Sequence, residues 1–149
     1  MSEKREHIGT TRFNAETWKE NIEWREKNGW RGCIYGVPSS MPSSIARGDI
    51  VYVIEMNNDT NKIMGIGKIN KRHKRGDKIY RDGNYNRYIY KSEYRKDISE
   101  IGDDEMITYL EKKLFKGKSH MKRGQGITRL RKKKIKNMEK VLMFMRRLL

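Results

Sequence analysis

The chain has 149 residues, enough for one domain with a single hydrophobic core. It carries 35 Lys and Arg against 19 Asp and Glu, a formal net charge of +16, which steers it toward polyanions, nucleic acid before an anionic membrane. One cysteine, Cys33, excludes an internal disulfide and suits a reducing compartment. Met1 to His7 is too polar to open a signal peptide, and no apolar run approaches the ~20 residues of a membrane span. The sequence therefore reads as an intracellular protein, cytoplasmic or nuclear and not secreted.

Residues 1–10 read as a disordered N-terminus, with 11–149 as the single domain. Asn14 is placed as the N-cap of a helix that stacks Trp18 on Ile22 and stops near Asn28-Gly29. Trp24 lies off that face and is expected to pack under the following loop. Residues 31–48, rich in Gly, Pro and Ser, read as a loop. Ile50 to Met56 is a strand apolar enough to be buried on both faces. The turn residues 57–61 return the chain as a hairpin arm over 62–70, where Gly65 and Gly67 at period two allow a close approach. A basic loop over 71–83 leads to a strand over 87–94. Asp103 caps a helix whose stripe is Met106, Ile107, Leu110 and Leu114, ended by Gly117. A last helix is expected over 131–149, burying Ile135, Met138, Leu142 and Met145 and leaving its lysines outside.

Catalytic chemistry finds no foothold in these residues. His7, His73 and His120 have no partner at ligand spacing, and one cysteine cannot build a zinc site. Gly117-Lys118-Ser119 resembles the end of a phosphate loop, but Lys112 occupies the position of its first glycine. Asp49 and Glu55 make no nuclease signature. Neither an enzyme, a cofactor nor a metal is expected. Binding is better supported. Trp30, set among Gly29, Gly32 and Gly36, is poorly placed to fill a core, and flexible backbone beside an aromatic ring suits a flat base. Tyr35, Tyr80 and Tyr85 lie in comparable surroundings, interleaved with arginines that suit phosphate.

The order of these pieces carries a resemblance. A capped helix leads to Gly29-Trp30, then a loop, then Gly48-Asp49 and a hydrophobic strand, then Ile63-Met64-Gly65-Ile66-Gly67. This resembles the EVE domains of the PUA-like superfamily. The related YTH domains close on Arg-Asp-Gly-Gln-Glu-Ile-Pro before a final helix, and here Lys122-Arg123-Gly124-Gln125-Gly126-Ile127-Thr128 stands in that position. The resemblance covers about residues 11–145. It implies an α+β fold, a curved PUA-like β-barrel of about five to six strands flanked by about three helices. It also implies recognition of one flipped-out, modified base of RNA or DNA in an aromatic cage: YTH proteins hold N6-methyladenine, and EVE domains include readers of modified cytosine.

Carried onto this sequence, Trp30 matches the first cage tryptophan, Tyr80 and Tyr85 the later walls, and Asn14 the polar residue at the helix start. Backbone from Arg31 to Cys33 is assigned to the base edge. Tyr35 completes the base-binding set. Arg31, Arg72, Lys74, Arg75, Lys118, Lys122 and Arg123 are the expected phosphate contacts. Arg123 departs from the family, which has an acid there, and neither Tyr80 nor Tyr85 is a tryptophan. The competing reading is a basic structural or packaging protein that coats nucleic acid without base specificity.

Overall fold

A computed structural model describes residues 5–149. In chain order these form β1 (Glu6–Phe13), α1 (Ala15–Lys27), β2 (Cys33–Val37), β3 (Ile50–Asn57), β4 (Lys62–Ile69), β5 (Tyr88–Ser92), β6 (Arg95–Asp97), α2 (Asp104–Phe115), β7 (Thr128–Arg129) and α3 (Met138–Leu148). The fold is α+β. Five strands make one mixed sheet in the order β6-β4-β3-β1-β7, with β1 parallel to β3 from Glu6↔Ile50 to Phe13↔Asn57. A separate antiparallel pair, β2 with β5, makes the second sheet.

Alternation along β3 explains the layering. Tyr52, Ile54 and Met56 face one way, into a core closed by Leu110 and Leu114 of α2 and by Val141 and Met145 of α3. Val51 and Val53 face the other way, against Ile34 and Tyr35 of β2 and Ile89 and Tyr90 of β5. The large sheet is thus a middle layer, which is why its central strand is apolar on both faces. Each fully buried Ile or Leu here contributes about 1.5–3 kcal/mol relative to exposure. Gly65 and Gly67 do mark close approaches. A side chain at Gly65 would meet Glu55 Oε1 and Arg95 Nη2, and one at Gly67 would meet Cys33 Sγ.

Four expectations need correcting. The segment assigned to a disordered N-terminus is, from Glu6 onward, the interior strand β1, held between β3 and β7; residues 1–4 of it lie outside the described residues. Its run Ile8-Gly9-Thr10-Thr11 is moderately polar, but all four residues are buried by neighbours supplied from far along the chain. The loop over 31–48 contains β2, whose five residues are all buried. The last helix begins at Asn137, which caps it through Lys140 N–H at 3.1 Å, and not at 131. A helix started at 131 would stack Arg131, Lys132, Lys133 and Lys134 on the positive end of its own dipole, a repulsive arrangement. Finally, the sheets do not close into a barrel. β2 and β5 lie across one face of the large sheet and join it at a corner, where Lys68 N–H donates to Tyr94 O at 3.0 Å.

Candidate nucleic-acid interface

The end of β1 and the start of α1 form one wall of a cleft of about 610 Å³. Asn14 makes the corner: its Oδ1 accepts Thr17 N–H at 2.8 Å, and Thr17 Oγ1 accepts Asn14 N–H at 3.0 Å. This capping box fixes where the helix starts and leaves Asn14 exposed at the cleft. Val37 and Pro38, at the end of β2, supply an apolar side, and Tyr80 and Tyr85 supply the aromatic one.

The two tyrosines are held by a turn that clamps on itself. Ile79 and Tyr80 both donate their N–H to Asn86 Oδ1 at 3.0 Å, and Asn86 Nδ2 returns a bond to Tyr80 O at 2.8 Å. Gly36 allows that turn to lie against β2, since a Cβ there would strike the Tyr80 ring and the Tyr85 carbonyl. Tyr80 is buried, its hydroxyl accepting Asn21 Nδ2 at 3.0 Å, and burial pushes its phenol far above its ordinary value. Tyr85 stays half-buried with its ring edge-on to Tyr80, centroids 6.3 Å apart. It is the ring free to meet a ligand.

The opposite rim is the segment 122–126. Arg12 Nη1 donates to Lys122 O at 3.2 Å and Asn58 Nδ2 donates to the same oxygen at 2.8 Å, tying the rim to β1 and to the β3–β4 turn. Asn58 Oδ1 is the one buried side-chain polar atom without a hydrogen-bond partner among the described residues, and Asn58 lines this cleft. An unsatisfied buried acceptor is uncommon in a folded protein. Arg12 and Arg87 contribute positive charge to the lining, against the single carboxylate of Asp82.

The site expected from the sequence divides in two. Asn14, Tyr80 and Tyr85 come together in this cleft, whereas Trp30 lines a different cavity, of about 450 Å³, beside Trp18, Met64 and Arg31. Trp30 is half-buried, its Nε1–H donates to Cys33 O at 3.0 Å, and Lys91 Nζ sits 5.1 Å from its ring. Cys33 and Tyr35 do not face a ligand. Both are almost fully buried in β2, and Tyr35 donates its hydroxyl to Glu55 Oε2 at 2.6 Å; desolvation raises the thiol and the phenol alike. The Cys33 carbonyl assigned to a base edge is the acceptor of the Trp30 indole.

Among the expected phosphate contacts, Arg72, Lys74, Arg75, Lys118 and Arg123 are exposed, and Lys122 is half-buried at the rim through its carbonyl. Lys74 is anchored by paired backbone bonds to Ile89, which carries the basic loop over β5, and Arg75 lies 6.0 Å from the Tyr88 ring. Arg87, one of the arginines interleaved with the candidate aromatics, does line the cleft; the residues missed by sequence reasoning are Arg12, Val37, Pro38, Asn58 and Gln125. Val37-Pro38 carried a usable signal, since a proline after a short β-branched run marks a strand end where side chains project into a loop. Arg12 and Asn58 carried none.

No group of three or more His, Cys, Asp or Glu side chains able to hold a metal ion occurs among the described residues, and no helix among them is long and apolar enough to cross a membrane. Compared with protein-family models, curated proteins and solved structures, the chain matches none.

Proposed function

We propose that the protein binds nucleic acid and takes one flipped-out base, modified by a small group such as a methyl, into the cleft at Asn14 and Tyr85. The observation that carries this reading is the convergence of Asn14, Tyr80 and Tyr85, far apart in sequence, on one cleft with Arg12 and Arg87 at its walls. Its volume of about 610 Å³ falls within the range of small-ligand sites, about 300–1,000 Å³. Tyr85 presents a ring for stacking. The basic surface holds phosphate, a contact that positions a strand without reading it. The order of motifs supports a PUA-like module of EVE or YTH type. Within that likeness, Trp30 gives way to Val37 and Pro38 as the loop side of the pocket.

The test is a panel of short oligonucleotides, modified against unmodified, with Tyr85→Ala and Trp30→Ala compared side by side for affinity and melting temperature. Stacking contributes about 1–3 kcal/mol per base. Tyr85→Ala is therefore expected to weaken the preferred modified strand by roughly 5- to 150-fold. Unmodified strands should be affected little. Trp30→Ala should alter melting temperature more than base preference. Loss of preference in a folded Trp30→Ala protein, with Tyr85→Ala unchanged, would move the site to the Trp18–Trp30 cavity. Equal losses on both kinds of strand would leave a coat protein without base specificity. Affinity that does not fall as salt rises would remove nucleic acid as the partner.

A further inference from the structure

A second concavity, of about 750 Å³, opens at the other end of β1, where Arg5, Arg129, Lys132 and Lys136 surround the first turn of α3. The fold assembles it from three places. β1 starts there, β7 delivers Arg129 opposite Gly9, and the turns over 131–137 carry the two lysines back before Asn137 caps α3. The first amides of a helix lack intrahelical acceptors and favour an anion. All four cationic residues are exposed, and none makes an ion pair among the described residues.

The carboxylates around this basin are few and already hydrogen-bonded. Glu6 and Glu139 line it, but both are on Arg146, at 2.6 and 3.2 Å. Asp49, just behind, is held by His7 Nε2 at 2.8 Å, with each side chain only 6% exposed, and by the amides of Arg5 and Ala46. Arg146 and the four unpaired cations thus face the basin against only the two carboxylates of Glu6 and Glu139, which leaves it positive. That is the electrostatic pattern of a site for a polyanion.

We propose that the basin binds phosphate groups of the same nucleic-acid strand whose base enters the cleft at Tyr85. β1 joins the two sites. His7 lines the basin and Thr11 lines the cleft, four residues apart, or about 13 Å at ~3.3 Å per residue. A strand of a few nucleotides crosses that distance, whereas a free nucleotide seated in the cleft does not reach the basin. The identity of the strand rests on the base-cleft reading; the phosphate chemistry of the basin does not.

The experiment uses the full chain carrying Lys132→Ala with Lys136→Ala, both exposed positions, beside a control carrying Lys112→Ala on α2 with Lys116→Ala just after it. Each is titrated with a single nucleotide, a decanucleotide and inorganic phosphate over a range of salt. The basin variant is expected to bind the decanucleotide roughly tenfold more weakly at low salt. Its salt slope should be smaller by about 1.4, at about 0.7 per single-strand phosphate for two phosphates. Its affinity for the single nucleotide and the control's behaviour should stay as in the parent protein. Unchanged decanucleotide affinity and slope would overturn the proposal, and so would an equal loss in the control, which would reduce the effect to net charge. Inorganic phosphate binding lost in the basin variant, with the decanucleotide unaffected, would reassign the basin to a small phosphorylated ligand and overturn the strand assignment. If Tyr85→Ala leaves base preference intact while the basin variant still loses affinity, the base reading fails and the basin stands.

Discussion

Arg95 and Glu55 form the most demanding contact in the molecule. Arg95 Nη2 meets Glu55 Oε1 at 2.7 Å and Nε meets Oε2 at 3.0 Å, with the side chains 5% and 2% exposed. Tyr35 hydroxyl and Asp97 saturate what remains, and Arg95 also lies 5.7 Å from the Trp18 ring. Gly65 between them is what lets an arginine on the edge strand β6 reach across β4 to a carboxylate on β3. A buried pair of this kind need not stabilise more than an apolar one, but losing one partner leaves a charge stranded. Arg95→Ala is expected to cost about 3–5 kcal/mol in urea unfolding. Arg95→Met with Glu55→Leu should recover most of that loss, and a double variant no better than the single would refute this account.

At the scale of elements, α3 shows how a charge pattern edits an apolar one. Its stripe of Val141 and Met145 is fully buried beneath the sheet, while Met138 and Leu142 are only half-buried at its start and margin. Ile135 is buried too, but from the irregular turns before the helix. Met145→Asp would place an unpaired charge in the core and should destabilise by several kcal/mol, with Met138→Asp distinctly milder. Thermal melts of the two variants decide this; equal shifts would mean that the helix is not docked by its Val141–Met145 face. β1 makes the complementary point. It is the least apolar of the interior strands, and it lies in register between β3 and β7 because both edges offer it backbone partners.

Over the whole molecule, several carboxylates are spent on holding the fold together, and cations are left at the surface. Arg146 holds the Glu6 carboxyl below its ordinary value, and the hydrogen bond from His7 does the same for Asp49, helped by the Ala46 amide. Since both carboxyls release protons more readily folded than unfolded, they contribute stability above their ordinary values of 4.5 and 3.8. That contribution is lost as pH falls through the lowered folded values. Melting temperature is therefore expected to be insensitive to these two groups above about pH 5 and to decline below it. Asp49→Asn should lower the melting temperature at pH 7 and make the acid decline shallower. An acid limb unchanged in Asp49→Asn would mean that the His7–Asp49 pair contributes nothing to it. The same distribution leaves the rim at 122–126 and the basin before α3 positive, which connects the fold's internal bonding to its proposed partner.

What the sequence determined by itself was local. The Asn14 and Asp103 caps, the β3–β4 hairpin, the two close-approach glycines and the α2 stripe all follow from interactions a few residues long, and the structure contains each. The α+β class was what the resemblance carried by the order of these pieces implied, and the structure has it. Tertiary structure alone decided the place of β1, because a strand of Ile, Gly and Thr is buried only when β3 and β7 arrive from 44 and 120 residues away. It decided that β2 and β5 cross the large sheet instead of closing it into a barrel. It also decided which aromatic residues share a cleft. Trp30 and Tyr85 look alike along the chain, as rings beside glycine and arginine, but the indole N–H of Trp30 is taken by Cys33 O while the Asn86 clamp carries Tyr85 to Asn14. Pairing between distant segments fixes such placements, and nothing in the spacing of residues encodes which backbone group a side chain will find.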